Sequence, residues 1–321
     1  MDNQYGTLRE YHDEYWWPLT QKRLRECTLV SYESAWRLHI EPKLGDILLC
    51  ELTTQDIELW LASFDSEGVA RRSYAVLRII LRSAERYEMI AQDPTRKVLH
   101  PPSKPHYEPD TLSKDEVFEM IRAFHGHPLE ALITINVSCG LRKEEGLALL
   151  WEDINLETGE TRISKGLQWV NGHECLNPPK TKSSNRLVYI PEIFLPRLRE
   201  IASTGRIIGN IEVSKAGQMY KKHCDECGIH YVPLKNLRTT WATVSLASGM
   251  PIQVVSHGLG HSEVTTTAQY YLGFDIKALE QGQHHWNIIL NNEDENEQVS
   301  WFNRLCHKIV SIFRGIFSKE L

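Results

Sequence analysis

No run of about eighteen or more apolar residues occurs anywhere in the 321-residue chain, so no segment reads as a membrane-spanning helix. The opening stretch MDNQYGTLREYHDEYWW places acidic and polar side chains where a secretory leader needs a basic and then an apolar run. A cytoplasmic location without stable membrane insertion is therefore expected. Seven cysteines, an odd number without framework spacing, fit a reducing compartment rather than a disulfide scaffold. No phosphate-binding Walker loop and no paired-carboxylate metal motif is present, and neither a cofactor nor a metal is expected. The one dense group of ligand-type residues, His223-Cys224-Asp225-Glu226-Cys227-Gly228-Ile229-His230, falls in one short stretch closed by glycine. Structural zinc usually takes two separated ligand pairs, so this stretch reads as a helix end. A basic excess is missing too, since the formal charge is −6, and overall charge does not announce a nucleic-acid partner.

What is present is an ordinary globular composition, 41% hydrophobic and 24% charged, long enough for two domains with ample cores. Its charge is segregated. Arg71, Arg72, Arg78, Arg82 and Arg86 crowd one predicted helix, Lys165, Lys180, Lys182 and Arg186 surround one predicted hairpin, and acid gathers at Glu293 to Glu297. Such a distribution permits a basic channel on an acidic protein. For the arginines of that helix the competing reading is a plain solvated face.

Residues 1–99 read as four helices. Leu8 to Trp17 ends at Pro18, and Thr28 to Ile40 stops at Pro42 and Gly45. Thr53 and Asp56 make a capping box for a third, and Val69 to Tyr87 buries Val76, Leu77, Ile80, Leu81 and Ala84. Residues 100–111 are too proline-rich for helix or central strand and read as a semi-stiff linker. A second domain, 112–290, starts with a capping box at Ser113 and Glu116. Its apolar helix from Leu129 to Ser138 breaks at Gly140, and Arg142 then opens another, with Glu145 on the same face to orient the guanidinium or simply to pair with it. From Thr161 the period shortens to strands, with an Asn171-Gly172 turn and a polar loop from Pro178 to Arg186 before Leu187 to Ile190. The expected fold is α+β, mainly α, with a small antiparallel sheet. Residues 291–321 combine an acidic link with an amphipathic helix that can lie on a membrane surface but is expected rather to pack on a neighbouring copy or on its own domain.

The stretch from Leu234 to Tyr271 carries the chemistry. Arg238 enters a helix closed by Gly249 and Pro251; a second helix, Ile252 to Ser256, meets the turn Gly258-Leu259-Gly260 and delivers His261; a third, about Glu263 to Tyr271, carries Tyr270. Short helices and tight turns of this kind bring an arginine, a histidine and a tyrosine to one phosphate.

These motifs resemble the tyrosine recombinases, or phage-type integrases. The resemblance rests on Gly140-Leu141-Arg142-Lys143-Glu144-Glu145, Leu237-Arg238, Leu259-Gly260-His261 and Tyr270 nine residues after that histidine. It implies a helical core DNA-binding domain followed by a catalytic domain, with Arg142 and Arg238 clamping phosphate oxygens and Tyr270 attacking phosphorus. It implies Lys180, or else Lys182, as donor of a proton to the leaving hydroxyl, and His261 as a hydrogen-bonding partner of the phosphate or tyrosine. Lys235 stands where the family usually has histidine; it keeps a charge and donors but is poorly suited to accept a proton. Glu145 is a supporting residue, and Arg71, Arg72, Arg78, Arg82, Lys182 and Arg186 are candidate DNA contacts. The implied partners are double-stranded DNA, a homotetramer on two DNA sites and an accessory directionality protein, in a nucleoid-associated setting. The expected function is site-specific recombination for a mobile element; the alternatives are a relaxing topoisomerase of the tyrosine type and a DNA-binding protein with a decayed site. An N-terminal module for distant arm sites is not expected, because the first predicted helix begins about eight residues from Met1.

Overall fold

The computed structural model describes residues 6–103, 108–178 and 185–261. The described part of Met1–Pro109 forms one unit together with Gln168–Cys175, and Asp110–Leu167 forms the other with the described residues from Leu176 onward. Lys180, Lys182, Tyr270, the helix expected over 263–271 and the C-terminal amphipathic segment lie outside the described residues.

In the first unit α1 (Leu8–Glu10) runs into π-wound Tyr11–Trp16 and then α2 (Trp17–Gln21). Pro18 thus does not end the helix as expected. It sits in the first turn of α2, just where the winding changes, so its missing N–H removes little. The same holds for Pro42: α3 (Glu26–Ala35) continues through π-wound Trp36–Ile40 into α4 (Glu41–Leu44), with Pro42 again in a first turn. Helix α5 (Thr54–Ala62) begins at the reciprocal Thr53–Asp56 cap, and α6 (Glu67–Arg86) is the long amphipathic element. Its Leu77, Ile80 and Leu81 are fully buried against Leu8, Tyr11, Ile40 and Ile57. Arg71, Arg72, Arg78, Arg82 and Arg86 lie on its exposed face. The described part of the proline-rich stretch after residue 99 carries neither helix nor strand.

In the second unit α7 (Lys114–Ala123) starts at the Ser113–Glu116 cap, and α8 (Glu130–Cys139) is buried almost all round, as its apolar sequence requires. Gly140, at φ +64°, closes α8 and leads to α9 (Lys143–Ala148). Strand β1 (Glu160–Ile163) pairs antiparallel with β4 (Arg186–Tyr189), while β2 (Gly166–Val170) and β3 (His173–Asn177) form a separate hairpin whose residues Gln168–Cys175 belong to the first unit. Asn171 and Gly172 both take positive φ at its turn, the geometry that matches strand twist. Helices α10 (Leu195–Ile201), α11 (Val213–Cys227), α12 (Leu237–Ala247) and α13 (Ile252–Leu259) complete the described unit.

Helix α13 extends further than the sequence suggested. Gly258 is helical rather than part of a turn, because its missing side chain makes room for Trp241: a Cβ there would stand 2.7 Å from the indole. Gly140 faces the same ring, at 2.4 Å for a built Cβ. The indole of α12 is therefore clasped between the end of α8 and the end of α13. Gly140→Ala is expected to destabilise the protein by at least about 2 kcal/mol in chemical denaturation, combining overpacking with left-handed strain. Gly172→Ala meets nothing within 4 Å, and should cost only the strain, about 1 kcal/mol.

Candidate active site

Glu145 lies one turn into α9 with its side chain 8% exposed. It accepts the backbone N–H of Arg142 (2.9 Å) and a hydrogen bond from Arg142 Nη1 (2.7 Å), so the carboxylate caps the helix and fixes the guanidinium together. A second arginine shares it. Arg186, opening β4, donates Nη1 to Oε1 (3.1 Å) and Nη2 to Oε2 (2.9 Å), the planar two-point match of guanidinium and carboxylate. Burial would raise the Glu145 pKa, but the hydrogen bonds and charge of Arg186, joined by those of Arg142, outweigh it and hold the carboxyl below its usual range.

Arg238, in the first turn of α12, reaches the same corner. Its Nη1 donates to the Gly140 carbonyl (2.9 Å), two residues before Arg142, and its Nη2 to the Leu259 carbonyl (2.6 Å). The two carbonyls end α8 and α13, where helix C-termini leave acceptors unpaired and the dipole favours a cation. Nη2 also stands 3.1 Å from His261 Nε2, which must then accept, placing the ring proton of the neutral imidazole on Nδ1. His261 is held at the Gly260 turn by its backbone N–H on Ser256 O (3.1 Å). Partial burial, then the charges of Arg238, Arg142 and Arg186, push its pKa down to about 4. A neutral imidazole among three guanidiniums leaves a site with excess positive charge, suited to a phosphate oxyanion.

Two family models match the chain. One, described as the phage integrase family, covers residues 110–275; the other, the N-terminal SAM-like domain of phage integrases, covers 7–64. The chain belongs to the phage integrase family. As a tyrosine recombinase it is a DNA strand transferase with site-specific recombinase function. It is 26% identical over 313 residues to a XerC-like tyrosine recombinase of Caldanaerobacter subterraneus subsp. tengcongensis, covering 84% of this chain and 80% of that one. With the tyrosine recombinase XerD of Proteus mirabilis it shares 30% identity over 256 residues, 73% of this chain and 79% of the relative. Its fold is similar to that of the Tn1549 transposon integrase solved with a circular intermediate DNA, at a TM-score of 0.73 and 14% identity, covering 88% of this chain and 99% of that one. It is also similar to lambda integrase solved as a tetramer on a Holliday junction, at 0.63 and 19%, covering 83% and 78%.

Within this recombinase the expected residues divide three ways. Arg142, Arg238, His261 and Glu145 converge on one corner. Lys235 is exposed on the 3₁₀ turn Leu234–Asn236 that leads into α12. Arg186 needs correction as a candidate DNA contact: its side chain is 3% exposed, its Nε is given to the Gly258 carbonyl (2.7 Å), and its other nitrogens are given to Glu145. It therefore braces the corner from inside, tying β4 to α9 and α13. The His223 to His230 stretch is divided as well: His223 Nε2 donates to the Ala123 carbonyl (2.9 Å), Cys224 is buried, and His230 lies against Glu116 and Asp110.

Two measurements probe this corner. Glu145→Gln, which leaves two guanidiniums without their counter-charge, is expected to cost roughly 3 kcal/mol of unfolding free energy. Because the folded pKa of Glu145 is depressed, its contribution should be complete above the unfolded carboxyl value and disappear as pH falls through the folded one. For His261 the folded pKa is also depressed, so the unfolded chain binds its proton first, and stability should fall as pH drops from the ordinary histidine value of 6.5 toward about 4. A histidine-resolved NMR titration should find its midpoint near 4 and an upward shift in Arg142→Ala; a midpoint at the ordinary value in the parent chain would contradict the geometry.

Proposed function

We propose that this recombinase integrates and excises a mobile element by cutting and rejoining DNA through Tyr270. The observation that carries the reading is the meeting of Arg238, His261 and the Arg142 turn at one positively charged corner, next in the chain to the segment bearing that tyrosine. Arg142 and Arg238 bind the two non-bridging oxygens of the scissile phosphate. The Tyr270 oxygen attacks phosphorus and the bond to the 5′ oxygen breaks, giving a 3′-phosphotyrosyl link and a 5′-hydroxyl whose proton comes from Lys180, or else Lys182. Neutral His261 donates its Nδ1 proton to the phosphate, or accepts the phenol proton at Nε2 once Arg238 turns from that nitrogen to the phosphate. Lys235 adds a donor at the rim. Rejoining reverses these steps with a different 5′-hydroxyl, and because the phosphodiester bond is exchanged for another phosphate ester, no outside energy source enters.

Exposed Arg71, Arg72, Arg78 and Arg82 of α6 bind DNA backbone in this reading, with Lys182 beside the cut, in a nucleoid-associated cytoplasmic protein. A homotetramer on two DNA sites is the acting form, in line with the lambda integrase tetramer on a Holliday junction. An accessory protein sets the direction.

A nicked suicide substrate, from which the 5′ fragment diffuses away, tests the assignment. The parent chain should accumulate a covalent 3′ adduct; Tyr270→Phe should bind the same DNA and give none, with the label failing to move to Tyr271. Arg238→Ala should slow adduct formation by about 10²–10³-fold, the usual effect of removing one preorganised oxyanion donor. An adduct that survives Tyr270→Phe overturns the assignment.

A further inference from the structure

Glu26 opens α3, while His173 and Cys175 lie on β3, at the hairpin tip that belongs to the same structural unit. Separations of 147 and 149 residues hide them from any reading of local spacing. In space their donor atoms form a triangle. Cys175 Sγ is 3.1 Å from Glu26 Oε2 and 3.2 Å from His173 Nε2, and that nitrogen is 3.3 Å from the same oxygen. Residues two apart on a strand project to one face, so β3 presents the imidazole and the thiol together. Among the described residues this is the one group of three or more histidine, cysteine, aspartate and glutamate side chains whose ligand atoms gather within 4.8 Å.

From this arrangement we infer that Glu26, His173 and Cys175 form a zinc site with three protein ligands and a position open to water. Sulfur, imidazole nitrogen and carboxylate oxygen are the donors zinc takes, at about 2.3, 2.0 and 2.1 Å, and ligands at those lengths around a tetrahedral ion stand about 3.3–3.6 Å apart. The observed triangle needs only a few tenths of an ångström of expansion. All three side chains are at least partly exposed, so an ion has access and the ligands have room to open.

Neighbouring groups already orient the ligands. His173 Nδ1 is 3.4 Å from the Asn171 carbonyl, the usual arrangement in which one ring N–H is anchored and Nε2 left to bind a metal. Asn171 Nδ2 lies 3.4 Å from Glu26 Oε1, the carboxylate oxygen that faces away from the other ligands. Both contacts are made by the left-handed turn residue of the hairpin. Without a metal, the Cys175 thiol donates to Glu26 and its pKa is raised, first by that hydrogen bond. Zinc takes the thiolate, so binding releases the thiol proton to solvent, while the carboxylate oxygen and the imidazole nitrogen supply the other two donors. The ion acts as a removable clip between the start of α3 and the hairpin tip.

Full-length protein without an affinity tag, stripped with chelator, incubated with zinc chloride and dialysed, is expected to retain one zinc per chain by atomic emission. Cys175→Ser and His173→Gln should each reduce this to background, and Cys227→Ser, at a second cysteine–histidine contact among the described residues (Cys227 Sγ to His223 Nε2, 3.5 Å), should leave it unchanged. Zinc should raise the melting temperature of the parent and of Cys227→Ser but not of the other two, whose zinc-free melts should match the parent's because the altered side chains are not part of a core. Cobalt should give a thiolate-to-metal charge-transfer band that Cys175→Ser abolishes. Zinc content no higher than that of Cys175→Ser, zinc that survives both ligand substitutions, or zinc lost with Cys227→Ser would overturn the site.

Discussion

The corner where the arginine and histidine motifs of this recombinase meet depends on one shared carboxylate. Two guanidiniums, one from the N-cap of α9 and one from β4, would repel each other and lack an anionic partner. Glu145 prevents both outcomes, since each of its oxygens receives one nitrogen from Arg186 while Arg142 takes a further bond and its backbone N–H another. The charges do not cancel fully. One carboxylate balances one arginine, so the field of the other, added to that of Arg238, remains and, after partial burial, adds to the depression of the His261 pKa. The same carboxylate therefore supports the fold and leaves the positive excess on which the proposed phosphate binding draws.

Trp241 is the mechanical counterpart of that electrostatic link. Its ring lies against Gly140, two residues before Arg142, and against Gly258, three before His261, and it stands on α12 one turn after Arg238. A rigid aromatic plate in contact with all three motif segments fixes their distances, because a packed interior passes displacement on rather than absorbing it. Both glycines are thus demanded by the ring, and Gly140, at φ +64°, by its own backbone as well.

How much of this was legible follows from the range of the interactions. The Arg142–Glu145 pairing was readable because its spacing of three residues is spatial spacing on a helix, whereas the carbonyls that hold Arg238, 98 and 21 residues away, leave no local mark. Gly258 was read as a turn residue since the sequence carries no sign of an indole arriving from α12. Pro18 and Pro42 were read as stops because a change to π winding, which gives them a place in a first turn, leaves no local mark. Arg186 was counted with the surface cations for want of any signal that its partner lies 41 residues away. Strand β3 was missed because His173, Glu174 and Asn177 give it no alternating apolar face, its pairing with β2 being set by the Asn171–Gly172 turn.

Preorganisation then links the fold to the proposed chemistry. Arg238 is oriented by carbonyls at the ends of two helices, acceptors that the helices cannot satisfy themselves, so its plane is set before any substrate arrives. Arg142 is oriented by a carboxylate that its own helix needs as a cap. In both cases the anchoring group serves the folding of a helix terminus first, and the ordering of a flexible side chain is completed in the folding step rather than at binding. A phosphate entering such a corner meets donors that need little reorientation and a neutral imidazole whose basicity rises as the anion offsets the surrounding guanidiniums. In the proposed reaction, a bound phosphate would offset that charge and raise the His261 pKa toward the range in which it can take a proton, coupling occupancy of the site to its readiness.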